Sequence, residues 1–139
     1  MKLAICTDVF ADLSYTDMLD KVKSLGIDAV EMTAGGWGAR KHCNTAELLA
    51  DEGKRKEFMG ELEKRGMRIS ALNTSCNPLW PSKTGEEYKK SMYDCATLAG
   101  LLGVKKIVAM AGLPAGNETD TTPNWITSTV SWPDFMAPA

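Results

Sequence analysis

A segment that occurs three times is the feature that most restricts the fold of this chain. Each copy is the end of an amphipathic helix, then a glycine, then a short apolar run: DKVKSLGIDAVEM, GELEKRGMRISAL and ATLAGLLGVKKIVAM. Gly26, Gly66 and Gly103 are spaced by roughly 40 residues, the length of one strand, one helix and their loops. A glycine just past a helix adopts the left-handed conformation that side chains with a Cβ disfavour. The repeat therefore predicts alternating strands and helices.

Apolar runs and helical periodicity locate these elements. The strands are predicted over 3–6, 29–32, 69–72 and 107–110, and they are apolar almost throughout, as parallel strands covered on both faces are. Helices are predicted over 14–25, with a possible Ser14 cap, and over 45–65, as a short and then a longer helix. A third helical region is predicted to begin at a capping box of Thr84 and Glu87. Its apolar periodicity places Cys95 in the core.

Strict alternation of strand and helix indicates an α/β fold with parallel βα repeats and right-handed crossovers. Two architectures remain open: the N-terminal half of a (β/α)8 TIM barrel, or a small flavodoxin-like open sheet. Residues 1–111 are interpreted as three βα units plus a fourth strand. Residues 112–139 are interpreted as a long loop after that strand and a truncated helix start near 132–136.

Composition excludes several classes of function. Sixteen basic and eighteen acidic residues give a net charge of −2, so neither a nucleic-acid partner nor a membrane surface is expected. The apolar run at the N-terminus is too short for a signal peptide, and the chain is predicted to be cytoplasmic. The four cysteines form no Cys-x-x-Cys pair and are expected to be free thiols.

The loops after the predicted strands differ in length at the two ends of the sheet. Those at the carboxyl ends are long and polar, over 7–8, 31–42, 73–80 and 110–116, whereas the opposite connections are short turns. In both architectures, ligands bind at the carboxyl ends of parallel strands. This rim is therefore the predicted binding site.

Glu31 is the most informative residue at this rim, because it interrupts an apolar strand. A carboxylate there must be paired, hydrogen-bonded or neutralised. Its side chain is expected on the same strand face as Ala29 and Thr33, opposite Val30 and Met32. Two interpretations are open: a contact to a substrate inside a polar barrel mouth, or a salt bridge at the end of the strand.

Other rim residues carry similar alternatives. His42, the only histidine, is a general base, a substrate contact or an exposed loop residue; metal ligation is weakly supported because no third ligand lies nearby. Asp8 is either an acid at the rim or a turn cap. Asn73 and Asn77 bind hydroxyl groups or stabilise their own loop. Trp37 and Trp80 form a carbohydrate wall or pack on the rim. The Gly35, Gly36 and Gly38 cluster does not match a dinucleotide fingerprint, although its amides could approach a sugar or phosphate.

Several segments together resemble the sugar phosphate isomerase/epimerase family of xylose isomerase-like TIM barrels. They are AICTDVF, LGIDAVEMTAGGWG followed by HCN, RGMRISALNTSCNPLWP, and LGVKKIVAMAGLPAG followed by TPNWITSTVSWP. The last is similar to the subgroup that includes the large subunits of bacterial C-glycoside deglycosidases. The resemblance implies an enzyme that moves protons on a sugar or sugar derivative with a divalent metal (Mn, Mg, Co or Zn) at the barrel mouth.

The resemblance also implies what this chain contributes. The metal ligands of the family come from strands five to eight, which this sequence does not contain, so no metal site and no catalytic centre are expected from it alone. Asp8, Glu31, Trp37, His42 and Asn73, with Asn77, are expected to form the first-half wall of a substrate pocket. The chain alone is expected to be inactive and to associate with a second copy or with a second half of the barrel. The alternative is a non-catalytic flavodoxin-like or half-barrel module for binding or assembly.

Overall fold

The computed structural model describes residues 3–112, which form alternating strands and helices. A 3-10 turn over Thr7–Phe10 follows the first strand. The elements in chain order are β1 (Ile5–Cys6), α1 (Tyr15–Ser24), β2 (Ala29–Thr33), α2 (Thr45–Ala50), α3 (Glu52–Lys64), β3 (Arg68–Thr74), α4 (Lys83–Leu102) and β4 (Ile107–Ala109). The predicted βα repeats are therefore confirmed, although β3 extends beyond the predicted strand at both ends.

The strands form one sheet in the order β1-β2-β3-β4, and every neighbouring pair is parallel. Each crossover thus adds the next strand on the same side of the sheet, as in a barrel. A flavodoxin-like sheet has the order 2-1-3-4-5, in which the chain reverses direction after its second strand. The flavodoxin-like alternative is therefore wrong, and the α/β fold with barrel-like progression is confirmed.

The core lies between the sheet and the helices. Val30 and Met32 of β2 and Leu72 of β3 are fully buried against the helices, whereas Glu31 between them is half-buried on the other face. This alternation within β2 is the predicted one. The helical side of the core is contributed by α1, α3 and α4, through Met18, Leu19, Val22, Phe58, Leu62, Cys95, Leu98 and Ala99.

The helix ends follow the sequence signals with one exception. The Ser14 hydroxyl accepts a hydrogen bond from the Asp17 amide, so the predicted cap of α1 is confirmed. The helix α4 instead begins earlier than predicted: its cap is Ser82, whose hydroxyl accepts from the Gly85 amide. The Thr84 and Glu87 capping box is therefore wrong. The physical reason is the absence of a Cβ at Gly85, which allows the first turn to approach the Trp80 carbonyl.

The three glycines of the repeat have φ values of 75° for Gly26, 60° for Gly66 and 69° for Gly103. Each follows a helix in the left-handed region, as predicted. Within residues 3–112 no helix is long and apolar enough to cross a membrane. The predicted loop and helix start in 113–139 lie outside the described residues.

Candidate functional site

Glu31 and Asn73 meet at the carboxyl ends of β2 and β3. The Asn73 side-chain nitrogen Nδ2 donates a hydrogen bond of 2.6 Å to Glu31 Oε1. The Asn73 oxygen Oδ1 accepts in turn from the backbone amide of Ser75, at 2.8 Å. Because a backbone N–H can only donate, it fixes which way the Asn73 amide is turned. The amide nitrogen is thereby directed at the carboxylate.

This arrangement leaves part of Glu31 available to a ligand. The hydrogen bond from Asn73 is charge-assisted when Glu31 is ionised, and such bonds are the stronger kind. Within residues 3–112, Glu31 Oε2 has no hydrogen-bond or ion-pair partner. No lysine or arginine pairs with Glu31 in the described chain, which removes the salt-bridge interpretation there. A half-buried carboxylate with one oxygen held and one oxygen open can accept a hydrogen bond or a proton from a ligand.

Asp8 lies at the same rim, after β1. Its carboxylate is half-buried and has no hydrogen-bond or ion-pair partner in the described part of the chain. A Cβ added at Gly38 would lie 2.7 Å from Asp8 Oδ2 and 2.2 Å from Thr33 Cγ2. The loop after β2 thus approaches both residues closely. Since Thr33 and Glu31 share one face of β2, Asp8 belongs to the same polar region.

The glycines of the loop after β2 allow it to pack against β3 and α4. The backbone amides of Ala34 and Gly35 both donate to the Asn73 carbonyl, at 2.9 and 3.2 Å. The Gly36 amide donates to Ser91 Oγ of α4 at 3.0 Å. The amides of Gly35 and Gly36 therefore stabilise the rim internally and are not directed at a sugar or phosphate. The backbone position of Asn73 is therefore stabilised by hydrogen bonds from this loop.

Trp37 is exposed at this loop. More than half of its surface is accessible (55%), although its backbone amide is fixed by a 2.9 Å hydrogen bond to the Ser75 carbonyl. The indole contacts Tyr88 of α4 edge to face, with ring centroids 6.1 Å apart. An exposed aromatic ring on a fixed backbone can cover the apolar face of a ligand. Trp80, the other aromatic residue considered, is half-buried with its carbonyl against Gly85.

His42 occupies a different place. Its imidazole is only 6% exposed, and Nε2 lies 3.1 Å from the Leu13 carbonyl oxygen. It lines a cleft of about 480 Å³ beside α1, α2 and α3, together with Tyr15 and Phe58. No hydrogen bond joins His42 to Glu31 or Asn73. The structure gives it a role in holding its loop to the segment that precedes α1, and a contact to substrate stays a prediction.

Buried groups around His42 are not nucleophiles at neutral pH. Burial raises the pKa of the Cys43 thiol to about 11, despite a hydrogen bond with Thr45 that lowers it. Burial also raises the pKa of the Tyr15 hydroxyl well above its usual range, and this hydroxyl donates to the Phe58 carbonyl at 2.9 Å. Both groups therefore stay protonated. Adjacent His42 and Cys43 do not supply a thiolate ligand.

Asn77 lies near the carboxyl end of β4. A Cβ at Gly112 would be 2.5 Å from Asn77 Oδ1, and Gly112 has a φ of 80°. Asn77 thus belongs to the same end of the sheet as Asn73. Within residues 3–112, no three His, Cys, Asp or Glu side chains converge as a metal site requires. The described residues therefore do not by themselves fit a divalent metal.

Sequence reasoning missed two residues that organise the site. Ser75 orients the Asn73 amide through its backbone, and Ser91 holds Gly36 from the middle of α4. The Asn-Thr-Ser spacing is a usable signal for Ser75, because an asparagine oxygen commonly accepts from the amide two residues later. No local signal identifies Ser91, since its contact joins residues distant in sequence.

No family model matches the chain, and two of its matches to individual proteins are described here. It is 52% identical over 136 residues to a Bacillus subtilis (strain 168) protein described as uncharacterized, YfiH. The match covers 98% of this chain and 44% of YfiH. The chain thus spans less than half the length of this relative. The description of that relative assigns no activity.

The second match is a crystal structure, that of the probable 3-DHS dehydratase AsbF, involved in petrobactin synthesis, from Bacillus anthracis. The TM-score is 0.53 at 23% identity, over 81% of this chain and 39% of AsbF. AsbF is a TIM-barrel protein. The chain has the fold of consecutive βα units of a TIM barrel. At this identity the similarity concerns the fold, and the chemistry depends on the residues described above.

Proposed function

We propose that this chain forms part of the substrate pocket of a sugar isomerase/epimerase-like enzyme, acting on sugars or sugar derivatives by proton transfer. The observation that carries the proposal is the Glu31–Asn73 hydrogen bond at the carboxyl ends of β2 and β3, with Glu31 Oε2 open. TIM-barrel enzymes place their active sites at this rim. An open carboxylate oxygen beside a fixed amide suits a ligand that is rich in hydroxyl groups.

Each residue of the proposed pocket has a physical task. Glu31 Oε2 accepts a hydrogen bond, or holds a proton, from a sugar hydroxyl, while Asn73 keeps the carboxylate in place through Oε1. Asp8 offers a second acceptor. Trp37 covers the apolar face of the ring, and Asn77 contributes an amide. His42 reaches such a ligand only if the contact with Leu13 is released.

A divalent metal belongs to the proposal for the complete enzyme. When bound it would supply charge stabilisation at the sugar oxygens. Because residues 3–112 do not assemble a ligand set, its ligands would come from outside this part of the chain. The proposal includes a cytoplasmic location, supported by the four free cysteines, since disulfides are rare in the cytosol.

The first test is sugar binding, measured by ligand-observed NMR with a panel of aldoses, ketoses and their phosphates. The complete relative YfiH and this chain are examined in parallel, each with the Glu31→Gln change or its equivalent. We expect at least about tenfold weaker binding, because the amide nitrogen of glutamine replaces an acceptor and leaves a polar group unpaired. Glu47→Gln in α2 is the matched control. Equal binding by the Glu31→Gln and control variants would contradict the proposal.

The second test is turnover. Purified chain with added Mn²⁺, Mg²⁺, Co²⁺ or Zn²⁺ is expected to give no isomer or epimer of any sugar in the panel, and no deuterium incorporation from heavy water. YfiH loaded with the metal is expected to do both. Turnover by this chain alone would show that the catalytic groups lie within it.

A half-barrel module for binding or assembly is the second candidate. The exposed apolar residues of β4 favour it, since they suit an assembly surface. It predicts sugar binding or subunit association without any turnover in the complete protein. The heavy-water experiment separates the two candidates.

A further inference from the structure

The carboxyl rim of the sheet carries two carboxylates that no cation neutralises within residues 3–112. Glu31 Oε2 and the whole Asp8 carboxylate have neither an ion-pair nor a hydrogen-bond partner there. Both groups are half-buried, so salt screens them less than it screens charges on an open surface. The loop after β2 joins them into one region, because the Cβ position of Gly38 lies 2.7 Å from Asp8 Oδ2 and 2.2 Å from Thr33 Cγ2. The rim therefore presents uncompensated negative charge to a ligand.

The cations closest in sequence to this rim do not change the balance of charge. Arg40 is exposed on the loop after β2 and forms no ion pair with either carboxylate. Lys41 lines the cleft beside α1 and α3, which three carboxylates also line: Glu47, Glu57 and Glu61. The first turn of α4 begins at the same end of the sheet and contains Lys83, but it contains Glu86 as well. In the described chain, an anionic ligand at the rim thus meets carboxylates that are not already paired with a cation.

Cations without an ion-pair partner cluster instead at the opposite end of the sheet. Arg68, Lys105 and Lys106 line a cleft of about 580 Å³ at the amino ends of β1, β3 and β4, and no carboxylate of the described residues lines it. Arg68 begins β3 and Asn73 lies near its end, which is roughly 16 Å of strand at about 3.3 Å per residue. This distance exceeds the Debye length of about 8 Å at physiological ionic strength. These cations therefore do not neutralise the carboxyl rim.

Trp37 gives the same rim a flat apolar surface in a fixed position. Its backbone amide donates to the Ser75 carbonyl at 2.9 Å, and the preceding Gly36 amide donates to Ser91 Oγ at 3.0 Å. Tyr88 of α4 contacts the exposed indole edge to face. A fixed aromatic face suits the C–H face of a closed sugar or polyol ring, which is already ordered before it binds. An open-chain ligand loses more conformational freedom on the same surface.

We propose that this rim selects an uncharged cyclic sugar or cyclic polyol and disfavours the corresponding phosphate esters. Hydroxyl groups of the neutral ligand donate to Glu31 Oε2 and to the Asp8 carboxylate. A phosphate group brings negative charge toward both carboxylates and is repelled. Proteins commonly obtain specificity by placing a like charge against the wrong ligand. The inference rests on the proposed function and specifies the substrate class of that same site, with Asp8 and Glu31 as the residues that determine specificity.

The binding test compares matched ligands on this chain by ligand-observed NMR, with a chelator present so that no metal ion bridges a phosphate to the protein. Glucose 6-phosphate is expected to bind at least about tenfold more weakly than glucose, and added salt is expected to reduce this difference. Sorbitol, the open-chain counterpart of glucose, is expected to bind at least about threefold more weakly than the closed ring. Trp37→Ala should remove the preference for the ring.

Asp8→Asn is expected to reduce the discrimination against glucose 6-phosphate at least about threefold, because an amide replaces one of the two repelling charges. Glu63→Gln is the matched control, since it removes the same charge from an exposed position near the end of α3, and we expect it to leave the discrimination unchanged. Equal effects of the two variants overturn the inference. Glucose 6-phosphate binding as tightly as glucose also overturns it and leaves the proposed function standing.

A second measurement needs no sugar, because it measures the charge at the rim through Trp37. The fluorescence of Trp37 is obtained as the difference between the wild-type chain and Trp37→Phe, and it is quenched by iodide or by caesium at constant ionic strength. Each quenching constant is divided by that of N-acetyltryptophanamide, a neutral model compound. We expect the ratio to be larger for caesium than for iodide, since the carboxylates attract cations and repel anions.

Asp8→Asn combined with Glu31→Gln should remove the difference between the two ions, and circular dichroism verifies that each variant is folded. Equal ratios for caesium and iodide in the wild-type chain overturn the inference, whether or not a sugar binds. A larger ratio for caesium without binding of any sugar contradicts the proposed function, while the exclusion of anions from the rim stands.

Discussion

At the scale of single residues, the loop after β2 depends on three glycines with three different neighbours. A Cβ at Gly35 would lie 2.3 Å from Ser91 Oγ, and one at Gly36 would lie 2.2 Å from the Ser75 carbonyl oxygen. At Gly38 the neighbours are Thr33 and Asp8. The glycines thus bring the loop close to β1, β3 and α4 together. They fix the backbone from which Trp37 projects.

Gly36→Ala should destabilise the protein by about 2 to 4 kcal/mol, because it combines left-handed backbone strain with a clash against main chain. The φ of Gly36 is 71°, and the clashing atom belongs to Ser75, the residue that orients Asn73. Chemical denaturation measures the change. Gly60→Ala is the control: it lies within α3 with nothing near its Cβ, so we expect a gain of about 0.5 to 1 kcal/mol. Equal effects at both positions would contradict this account.

A second residue-scale prediction concerns alkaline pH. The pKa of Cys43 is raised by burial to about 11 in the folded protein, whereas an unfolded thiol titrates near roughly 8.5. Between these two pKa values the folded state keeps this proton, whereas the unfolded state loses it. The free energy of unfolding is therefore unaffected by this group below the lower pKa, and it falls as the pH rises from the lower to the higher pKa.

The expected loss from this group is roughly 3 to 3.5 kcal/mol, because the two pKa values differ by about 2.5 units and each unit corresponds to about 1.4 kcal/mol. Urea denaturation of the wild-type chain and of Cys43→Ala between pH 8 and pH 11 measures it. The variant should lose stability less steeply, since other groups titrate equally in both proteins. Identical slopes would show that Cys43 is not the source.

At the scale of elements, the features that depend on residues close in sequence were predicted, and those that depend on contacts between distant residues were not. The strands, the helices and the left-handed glycines depend on local periodicity and local sterics, and these were predicted. The start of α4 was not, because Gly85 accommodates the Trp80 carbonyl, and a cap preference alone does not include that approach. The Glu31–Asn73 pair requires β2 and β3 to be in register, which the sequence implied only through their shared rim. The contact between His42 and the Leu13 carbonyl joins two loops, and no feature of the sequence indicated it.

The Ser82 cap gives the test at this scale. Ser82→Ala should lower the free energy of unfolding by about 1 kcal/mol, because the Gly85 amide loses its acceptor. Thr97→Ala in the same helix is the control: Thr97 is exposed and its hydroxyl donates back to the Tyr93 carbonyl, so a change near zero is expected. Thermal or urea unfolding compares the two. A larger effect at Thr97 than at Ser82 would contradict the assigned helix start.

At the scale of the whole molecule, each strand pairs with the strand that precedes it in the chain. No strand in the order β1-β2-β3-β4 is inserted between two earlier ones. Contacts that define the sheet therefore span about one repeat of sequence, and none joins distant parts of the described chain. This regularity also explains why one repeated segment was sufficient to predict the fold class, whereas the contacts within the site could be identified only from the structure.

The same order has a consequence for synthesis on the ribosome. Because β2 needs only β1, and β3 needs only β2, each new unit can add to a sheet that has already emerged from the exit tunnel. The amino-terminal units can thus acquire structure while later codons are still being translated. Strand β4 is the strand that stays exposed during synthesis, because its outer edge and apolar faces are not covered by the units before it. Chaperone contact during translation should accordingly concentrate on nascent chains that end shortly after this strand.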